Sequence, residues 1–281
     1  MSTAAIDEFA DREFPMTDRD FKKIQDIAYR QTGIKLSDHK KNMIYGRLAR
    51  RLRLLNFTRF AEYCDLIAQD NSPEKMEFIN AITTNLTAFF REGHHFESLK
   101  SDIIPTLMSR NQSSKRIRIW SAGCSSGEEP YTIAMVLKGI SALTTWDIKI
   151  LATDLDTNVI RRAREGIYTL DRVDNVPQEY RRFLQYDKQN ARVKLKDNVC
   201  EVITFKQLNL LEEWPMRRMF DVIFCRNVVI YFDLDTQKKL FARYANILSK
   251  DGYLIIGHSE NLHNVTKQFK PLGKTIYQRA D

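Results

Sequence analysis

Arg116-Ile117-Arg118-Ile119-Trp120-Ser121-Ala122-Gly123-Cys124-Ser125-Ser126-Gly127-Glu128-Glu129-Pro130-Tyr131 decides how the rest of the chain is read. From Arg116 to Trp120 charged and apolar residues alternate, the two-residue period of a strand, and from Tyr131 to Leu137 the apolar pattern resumes at helical spacing. Small residues make the turn between them. Gly123 and Gly127 are able to take positive φ and let a ligand approach the backbone closely. Pro130 suits the first turn of a helix, where its missing N–H costs nothing. Strand, small-residue turn and helix N-terminus together form a nucleotide-type binding element. The full GxGxxG spacing is absent, and the same residues also suit a purely structural strand-to-helix turn.

A chain of 281 residues has room for one large domain, or for a large and a small one, each with a proper core. Hydrophobic content of 43% fits a globular protein, and no apolar run approaches the roughly 18 to 20 residues that span a bilayer. The N-terminal MSTAAIDEFADREF is acidic and lacks a continuous apolar core, so neither a secretory signal nor a transit peptide is expected. A cytoplasmic protein without membrane insertion is the expectation. Cys64, Cys124, Cys200 and Cys225 are scattered without a CxxC pair, which argues against a zinc site or a disulfide framework.

The net charge of +8 favours an acidic partner, and its distribution is uneven. Residues 1–90 hold 14 Lys and Arg against 13 Asp and Glu, yet six basic residues and no acid fall between His39 and Arg53. Thr17 with Asp20 reads as a helix N-cap, and that helix would stop near Gly33. A second helix would start at Ser37 or Asp38, with Ile44, Leu48, Leu52 and Leu55 as its core stripe. Lys40, Arg47, Arg50 and Arg53 fall on the opposite arc, Arg51 at its edge, making one face cationic. A solvated face is the plain alternative. Thr58–Gln69 and Pro73–Thr83 supply two more helices, giving an all-helical N-terminal domain over 1–84. A linker and connecting helix follow over 85–112, and the second domain occupies 113–281. Thr83 to Glu92, rich in hydroxyls and amides with Phe89-Phe90-Arg91 inside it, reads as a loop that folds over something.

After the glycine turn, Asp147–Thr153 is a second strand that ends at Asp154. This is the arrangement in which an acid accepts hydrogen bonds from two ribose hydroxyls, and the spacing from Gly127 is somewhat over 20 residues. Asp154 as a helix cap is the alternative. Asn158–Gly166 reads as the following helix, and about 34 residues then intervene before the next long strand, Glu201–Asn209; they read as a small inserted subdomain near 170–200, a helical segment followed by the alternating Ala191–Lys196. Phe220–Arg226 is a continuous apolar run, as expected of a central parallel strand, with Arg226-Asn227 at its carboxyl end, the edge where ligands bind in open α/β sheets. Asp235–Leu248 reads as a helix, and Gly252–Gly257 and Ile276-Tyr277 as strands.

TTNLTAFFRE, WSAGCSSGEEPY, ATDLD, QLNLL and FCRNVVIYF occur in that order. With them the chain closely resembles the chemotaxis-receptor glutamate O-methyltransferases, the CheR family, from about Phe21 to Tyr277. The resemblance implies a class I methyltransferase domain, a Rossmann-like, mostly parallel seven-stranded sheet, with the helical N-terminal domain and an inserted small antiparallel β subdomain. It implies S-adenosylmethionine as cofactor, S-adenosylhomocysteine as product, and no metal. Cofactor contacts are implied at Asn85, Thr87, Arg91, Gly123, Glu129, Asp154, Asn209, Leu210, Arg226 and Asn227. An ammonium seeks a carboxylate such as Glu129, and adenine an amide with an apolar wall, as Asn209 and Leu210 would provide.

The implied reaction is methyl transfer to a glutamate carboxylate. With a pKa of roughly 4.3, glutamate is already ionised at neutral pH, so no general base is required. Arg91 and Tyr231 are expected beside the methyl, Arg91 orienting an oxygen or holding the cofactor and Tyr231 donating a hydrogen bond. A core tyrosine with a polar tip is the alternative for Tyr231. The implied partners are the helical cytoplasmic segments of methyl-accepting chemoreceptors, whose acidic residues would meet Arg47, Arg50, Arg51 and Arg53. Recruitment to receptor clusters and a monomeric enzyme are the corresponding expectations. In some members the inserted subdomain adds a receptor's C-terminal peptide as an extra strand. Here Tyr186–Asn190 lacks the glycine-rich loop of such members, which argues against a tether. A nucleic-acid methyltransferase is the rival enzyme, but Arg226-Asn227-Val228 stands where amino-methylating members carry Asn or Asp before Pro-Pro, and no Pro-Cys pair occurs. A non-catalytic cofactor-binding adaptor is the remaining alternative.

Overall fold

The computed structural model describes residues 12–280. Most of the acidic N-terminal stretch weighed for targeting, residues 1–11, lies outside them. The chain divides into two compact units, Met1–Thr84 and Asn85–Asp281.

Among the described residues the first unit holds four α-helices, α1 (Asp18–Thr32), α2 (Lys41–Leu55), α3 (Phe60–Ala68) and α4 (Lys75–Ile82). Thr17 and Asp20 close a reciprocal capping box at the start of α1, and Gly33, at φ 70°, ends it. The segment before α2 is a 3₁₀ turn, Asp38–Lys40, so the α-helix begins later than Ser37 or Asp38. Phe21, Ile24 and Ile27 of α1 and Ile44, Leu48 and Leu52 of α2 are buried, and with Phe60, Tyr63, Ile67, Phe78 and Ile82 they form this unit's core. Polar residues on the other faces leave one apolar stripe per helix, and four such stripes close on each other.

In the second unit α5 (His94–Ser98) runs through a π-helical turn, Leu99–Ile103, into α6 (Ile104–Arg110), where Pro105 offers no backbone N–H. Then follow β1 (Arg116–Ala122), α7 (Glu128–Lys138), β2 (Asp147–Asp154) and α8 (Thr157–Glu165). The inserted part contains β3 (Ile167–Thr169), β4 (Leu184–Asp187), β5 (Arg192–Leu195) and α9 (Asp197–Cys200), and its sheet starts at Ile167, ahead of residue 170. The chain finishes with β6 (Ile203–Gln207), β7 (Phe220–Cys225), α10 (Leu234–Ile247), β8 (Leu248–Ile256), β9 (Phe269–Gly273) and β10 (Ile276–Arg279).

The large sheet has the order β6-β2-β1-β7-β8-β10-β9. All pairs from β6 to β8 are parallel, whereas β10 is antiparallel to β8 and β9, so the sheet is mostly parallel and seven-stranded, as expected. The strand pleat sends alternate side chains to two cores. Ile119, Val222, Phe224 and Ile255 face one and Trp120, Ile223, Cys225 and Ile256 the other, which is why β7 is buried at every position and apolar at all but Asp221. The inserted strands form a separate antiparallel sheet, β3-β5-β4. Among the described residues no helix is long and apolar enough to cross a membrane. The cysteines are free, three of them buried.

Candidate functional site

The strand order reverses between β1 and β7, and the carboxyl ends of β2, β1, β7 and β8 bring Asp154, Gly123, Arg226 and Gly257 to one edge. The β1 turn is tied to its neighbour, since Gly123 N and Cys124 N both donate to the Thr153 carbonyl, at 2.8 and 2.9 Å. Gly123 adopts φ +103°, and a Cβ there would stand 2.3 Å from Val228 Cγ2. Only glycine suits both the conformation and the space.

Asp154 receives Ser125 N at 2.8 Å on one carboxylate oxygen and Asp156 N at 3.0 Å on the other. Burial pushes its carboxyl up to about 6 although these backbone donors pull it down. The helix cap is Asp156, not Asp154, because its Oδ1 accepts Asn158 N and Val159 N. Asp156 also takes a hydrogen bond from Asn85 Nδ2 at 2.7 Å, and Ser125 Oγ donates to the Asn85 carbonyl at 2.9 Å. Residues 85–92 therefore lie against the glycine turn and the end of β2. In that segment Arg91 Nη1 donates to the Leu86 carbonyl at 2.8 Å, and the Thr87 carbonyl accepts from Arg172 at 3.0 Å.

Arg226 is the node of the edge. Its side chain is 3% exposed; Nη1 donates to Glu129 Oε2 at 3.0 Å, Nη2 lies 3.2 Å from Glu92 Oε2 and donates to the Arg91 carbonyl, and Nε has no partner. Glu129, in the first turn of α7, accepts Ser121 Oγ at 2.7 Å on its other oxygen. Burial raises the Glu92 carboxyl, but its hydrogen bond with His258 at 2.7 Å and the charge of Arg226 outweigh burial and hold it at about 2. His95, fully buried, is pushed down to about 4 by burial and by Arg226, so its ring is neutral and Nε2–H donates to the Lys274 carbonyl at 2.9 Å.

The turn after Arg226 is held by one buried carboxylate. Glu260 accepts Asn227 N at 3.0 Å, Val228 N at 2.9 Å, Val229 N at 3.0 Å and Gly257 N at 2.6 Å. Burial raises this carboxyl while the four N–H groups lower it. Tyr231 closes the following 3₁₀ turn, Val229–Tyr231, whose Val229 carbonyl accepts from Gln237 of α10. Beyond β6, Asn209 Oδ1 accepts Leu211 N at 3.0 Å, and the Leu210 carbonyl accepts from Arg243 at 2.7 Å and Trp214 Nε1 at 3.2 Å.

The basic face of α2 belongs to the first unit and is more engaged than a helical wheel suggests. Arg47 donates to the carbonyls of Ala81 and Thr83 at 3.1 and 2.5 Å. Arg51 forms a two-pronged pair with Glu74 at 2.7 and 2.8 Å, and Arg53 one with Glu13 at 2.8 and 2.5 Å. Arg50 is exposed. The expected acid-facing set thus includes three arginines, Arg47, Arg51 and Arg53, occupied with their own domain's carbonyls and carboxylates.

Sequence reasoning passed over Glu92, Arg172, Glu260 and His258. Glu92 and His258 each sit beside a residue or strand end already singled out, and Glu260 follows the apolar carboxyl-terminal part of β8, Tyr253 to Ile256, where an acid at the carboxyl edge was a usable sign. Arg172 carried no local sign.

An acid at the end of β2, a glycine turn leading into a helix, and an amide with an apolar neighbour after β6 suit a nucleoside. The buried Arg226–Glu129 pair sets a guanidinium beside a carboxylate, the complement of an amino-acid head, and Arg226 Nε retains an unused donor. These residues fit S-adenosylmethionine, and with the mostly parallel sheet they mark a class I S-adenosylmethionine-dependent methyltransferase. Residues 19–83 match the family described as "CheR methyltransferase, all-alpha domain" and residues 85–278 that described as "CheR methyltransferase, SAM binding domain". The chain belongs to the CheR methyltransferase family. It is 41% identical over 278 residues to chemotaxis protein methyltransferase 2 of Pseudomonas aeruginosa, covering 97% of each chain. It is 40% identical to the chemotaxis protein methyltransferase of Escherichia coli, covering 93% of this chain and 91% of that one. To the probable chemotaxis protein methyltransferase of Rhizobium etli it is 42% identical, covering 90% and 96%. It is therefore an enzyme of the chemotaxis methyltransferase type that binds S-adenosylmethionine.

Proposed function

We propose that this enzyme methylates glutamate side chains on the helical cytoplasmic segments of methyl-accepting chemoreceptors, giving glutamate methyl esters in chemotactic adaptation. The observation that carries the reading is the buried Arg226–Glu129 pair on the same sheet edge as Asp154, on a chain about 40% identical to chemotaxis methyltransferases over more than nine-tenths of its length. Asp154 would accept the ribose hydroxyls, Asn209 and Leu210 would hold the adenine, and Glu129 with Arg226 the amino-acid head. Asn85, Thr87, Gly123 and Asn227 complete the wall.

S-adenosylmethionine supplies an electrophilic methyl group, and its acceptance by a carboxylate oxygen leaves S-adenosylhomocysteine. No proton moves, because the glutamate is ionised at neutral pH. The protein's part is therefore positioning and exclusion of water, which favours loss of charge as anion meets cation. Arg91, fixed to Leu86, orients the acceptor or the cofactor without pairing fully with the attacking oxygen, which would blunt it. Tyr231 donates to the acceptor's other oxygen. Exposed Arg50, with the outer edge of Arg53, is the part of α2 best placed to attract an acidic receptor helix, and Arg47 and Arg51 support the domain that presents it. The working location is the cytoplasmic face, at receptor clusters.

The test offers methyl-labelled S-adenosylmethionine with receptor cytoplasmic fragments or with RNA. Base-labile label on the receptor, reduced at least a hundredfold by Arg91→Ala, is the expected result. Base-stable label on the receptor, or label on RNA, would overturn the reading.

A further inference from the structure

The aromatic pair Phe89-Phe90 is not packed by the large sheet alone. Phe89, 1% exposed, meets the ring of Tyr168 edge-on at 5.0 Å, and Phe90 stacks on Tyr180 at 5.0 Å. Tyr168 belongs to β3 and Tyr180 to the 3₁₀ segment Gln178–Phe183, both in the inserted subdomain. Tyr168 OH also donates to the Ser126 carbonyl at 2.7 Å, so the same subdomain touches the glycine turn.

Between those contacts lies Arg172, in the 3₁₀ turn Leu170–Val173 that follows β3. One guanidinium nitrogen donates to the Thr87 carbonyl at 3.0 Å and pairs with Glu128 Oε1. Glu128 is wholly buried at the first position of α7, and its other oxygen accepts Ser126 Oγ at 2.7 Å. A loop carbonyl has no ladder partner of its own, and a planar guanidinium that serves both it and a fixed carboxylate sets the distance between loop and helix. A lysine ammonium carries the charge but ends one bond short of that nitrogen and lacks the guanidinium plane that fixes its direction.

We propose that the inserted three-stranded subdomain positions the 85–91 loop over the glycine turn, with Arg172 as the positioning residue that joins Thr87 to Glu128. The inference rests on the reading of Asn85, Thr87 and Arg91 as donor-holding residues. The subdomain is then part of the donor site as well as a surface feature, and its attachment sets donor affinity.

The experiment measures S-adenosylhomocysteine binding by calorimetry, and kcat and KM for S-adenosylmethionine, in the full chain carrying Arg172→Lys, the double change Arg172→Met with Glu128→Gln, or Asn85→Ala. The double change leaves no unpaired buried carboxylate, so the fold is retained. Both Arg172 variants are expected to bind the product about tenfold more weakly and to raise KM for the donor by a similar factor, with kcat at saturation reduced less than threefold and the unfolding midpoint of the double variant near wild type. Wild-type affinity in the double variant, alongside weakened binding in Asn85→Ala, overturns the role of Arg172 and leaves the loop reading standing. Wild-type affinity in Asn85→Ala overturns the loop reading, and the proposal with it.

Discussion

The guanidinium of Arg226 donates to the carboxylate of Glu129 at 3.0 Å across the ends of β7 and α7, and both side chains are at most one-tenth exposed. Glu92 shares the same cation at 3.2 Å. Two acids and one guanidinium make an ionic node that is closed to water on the protein side.

Removing its cation is expected to be costly. Arg226→Met strands two buried carboxylates, so stability should drop by about 3 to 5 kcal/mol, readable by urea unfolding. Glu129→Gln keeps the shape and the acceptor for Ser121, and should unfold near the wild-type midpoint. It should nevertheless weaken product binding roughly tenfold or more, since a charged partner for the ammonium is lost. A change below twofold in calorimetry would remove Glu129 from the donor site.

Asp154 gives a pH dependence whose sign is fixed. Its folded pKa of about 6 lies above the ordinary value of 3.8, so its contribution to stability is fully present below pH 4 and is lost as pH rises through 6. Bound ribose hydroxyls would act the other way, because they require the ionised form. Product affinity should therefore fall by roughly tenfold between pH 7 and pH 5. Asp154→Asn should bind weakly and flatten that profile. A steep profile surviving in the variant would assign the titration elsewhere.

Glu92 responds in the opposite direction. Held at about 2 in the folded protein against an ordinary 4.5, it contributes stability that is present above pH 4.5 and lost as pH falls through 2. Acid unfolding of Glu92→Gln should be shallower than wild type between those limits, and an identical profile would discount the carboxylate.

The turn that carries Tyr231 depends on Glu260. Glu260→Ala leaves four backbone N–H groups without their acceptor, and a loss of about 2 to 4 kcal/mol is expected, with kcat reduced more than product affinity. Tyr231→Phe leaves that turn intact and should lower kcat about tenfold with unchanged product binding. A Tyr231→Phe enzyme with normal turnover would relegate the tyrosine to packing.

Arg50 and Arg51 should separate in opposite senses. Arg51→Ala deprives buried Glu74 of its two-pronged partner and should cost on the order of 3 kcal/mol, seen as a lower unfolding midpoint. Arg50→Glu should leave the midpoint alone. It should slow receptor methylation several-fold at low salt, and the difference should shrink as ionic strength rises.

The sequence alone determined the strand-turn-helix around Gly123, the acid at the end of β2, the doubly covered β7 and the cap at Thr17, because each is a local pattern of period, turn residue or cap within a dozen positions. The polar β9, Phe269–Gly273, with Pro and Gly inside it, matched no strand pattern, and its pairing with β10 had to come from the sheet. Only the tertiary structure decided that Asp156 takes the cap of α8 and frees Asp154 for the edge, that Arg51 answers Glu74 rather than solvent, and that Arg172, Glu92 and Glu260 hold the loops. Arg51 and Glu74 lie 23 residues apart, Arg172 and Thr87 85, and Glu92 and His258 166, and a charged side chain carries no periodic mark of which distant carbonyl or carboxylate will satisfy it. Burial makes that pairing compulsory, and burial is a property of the folded chain.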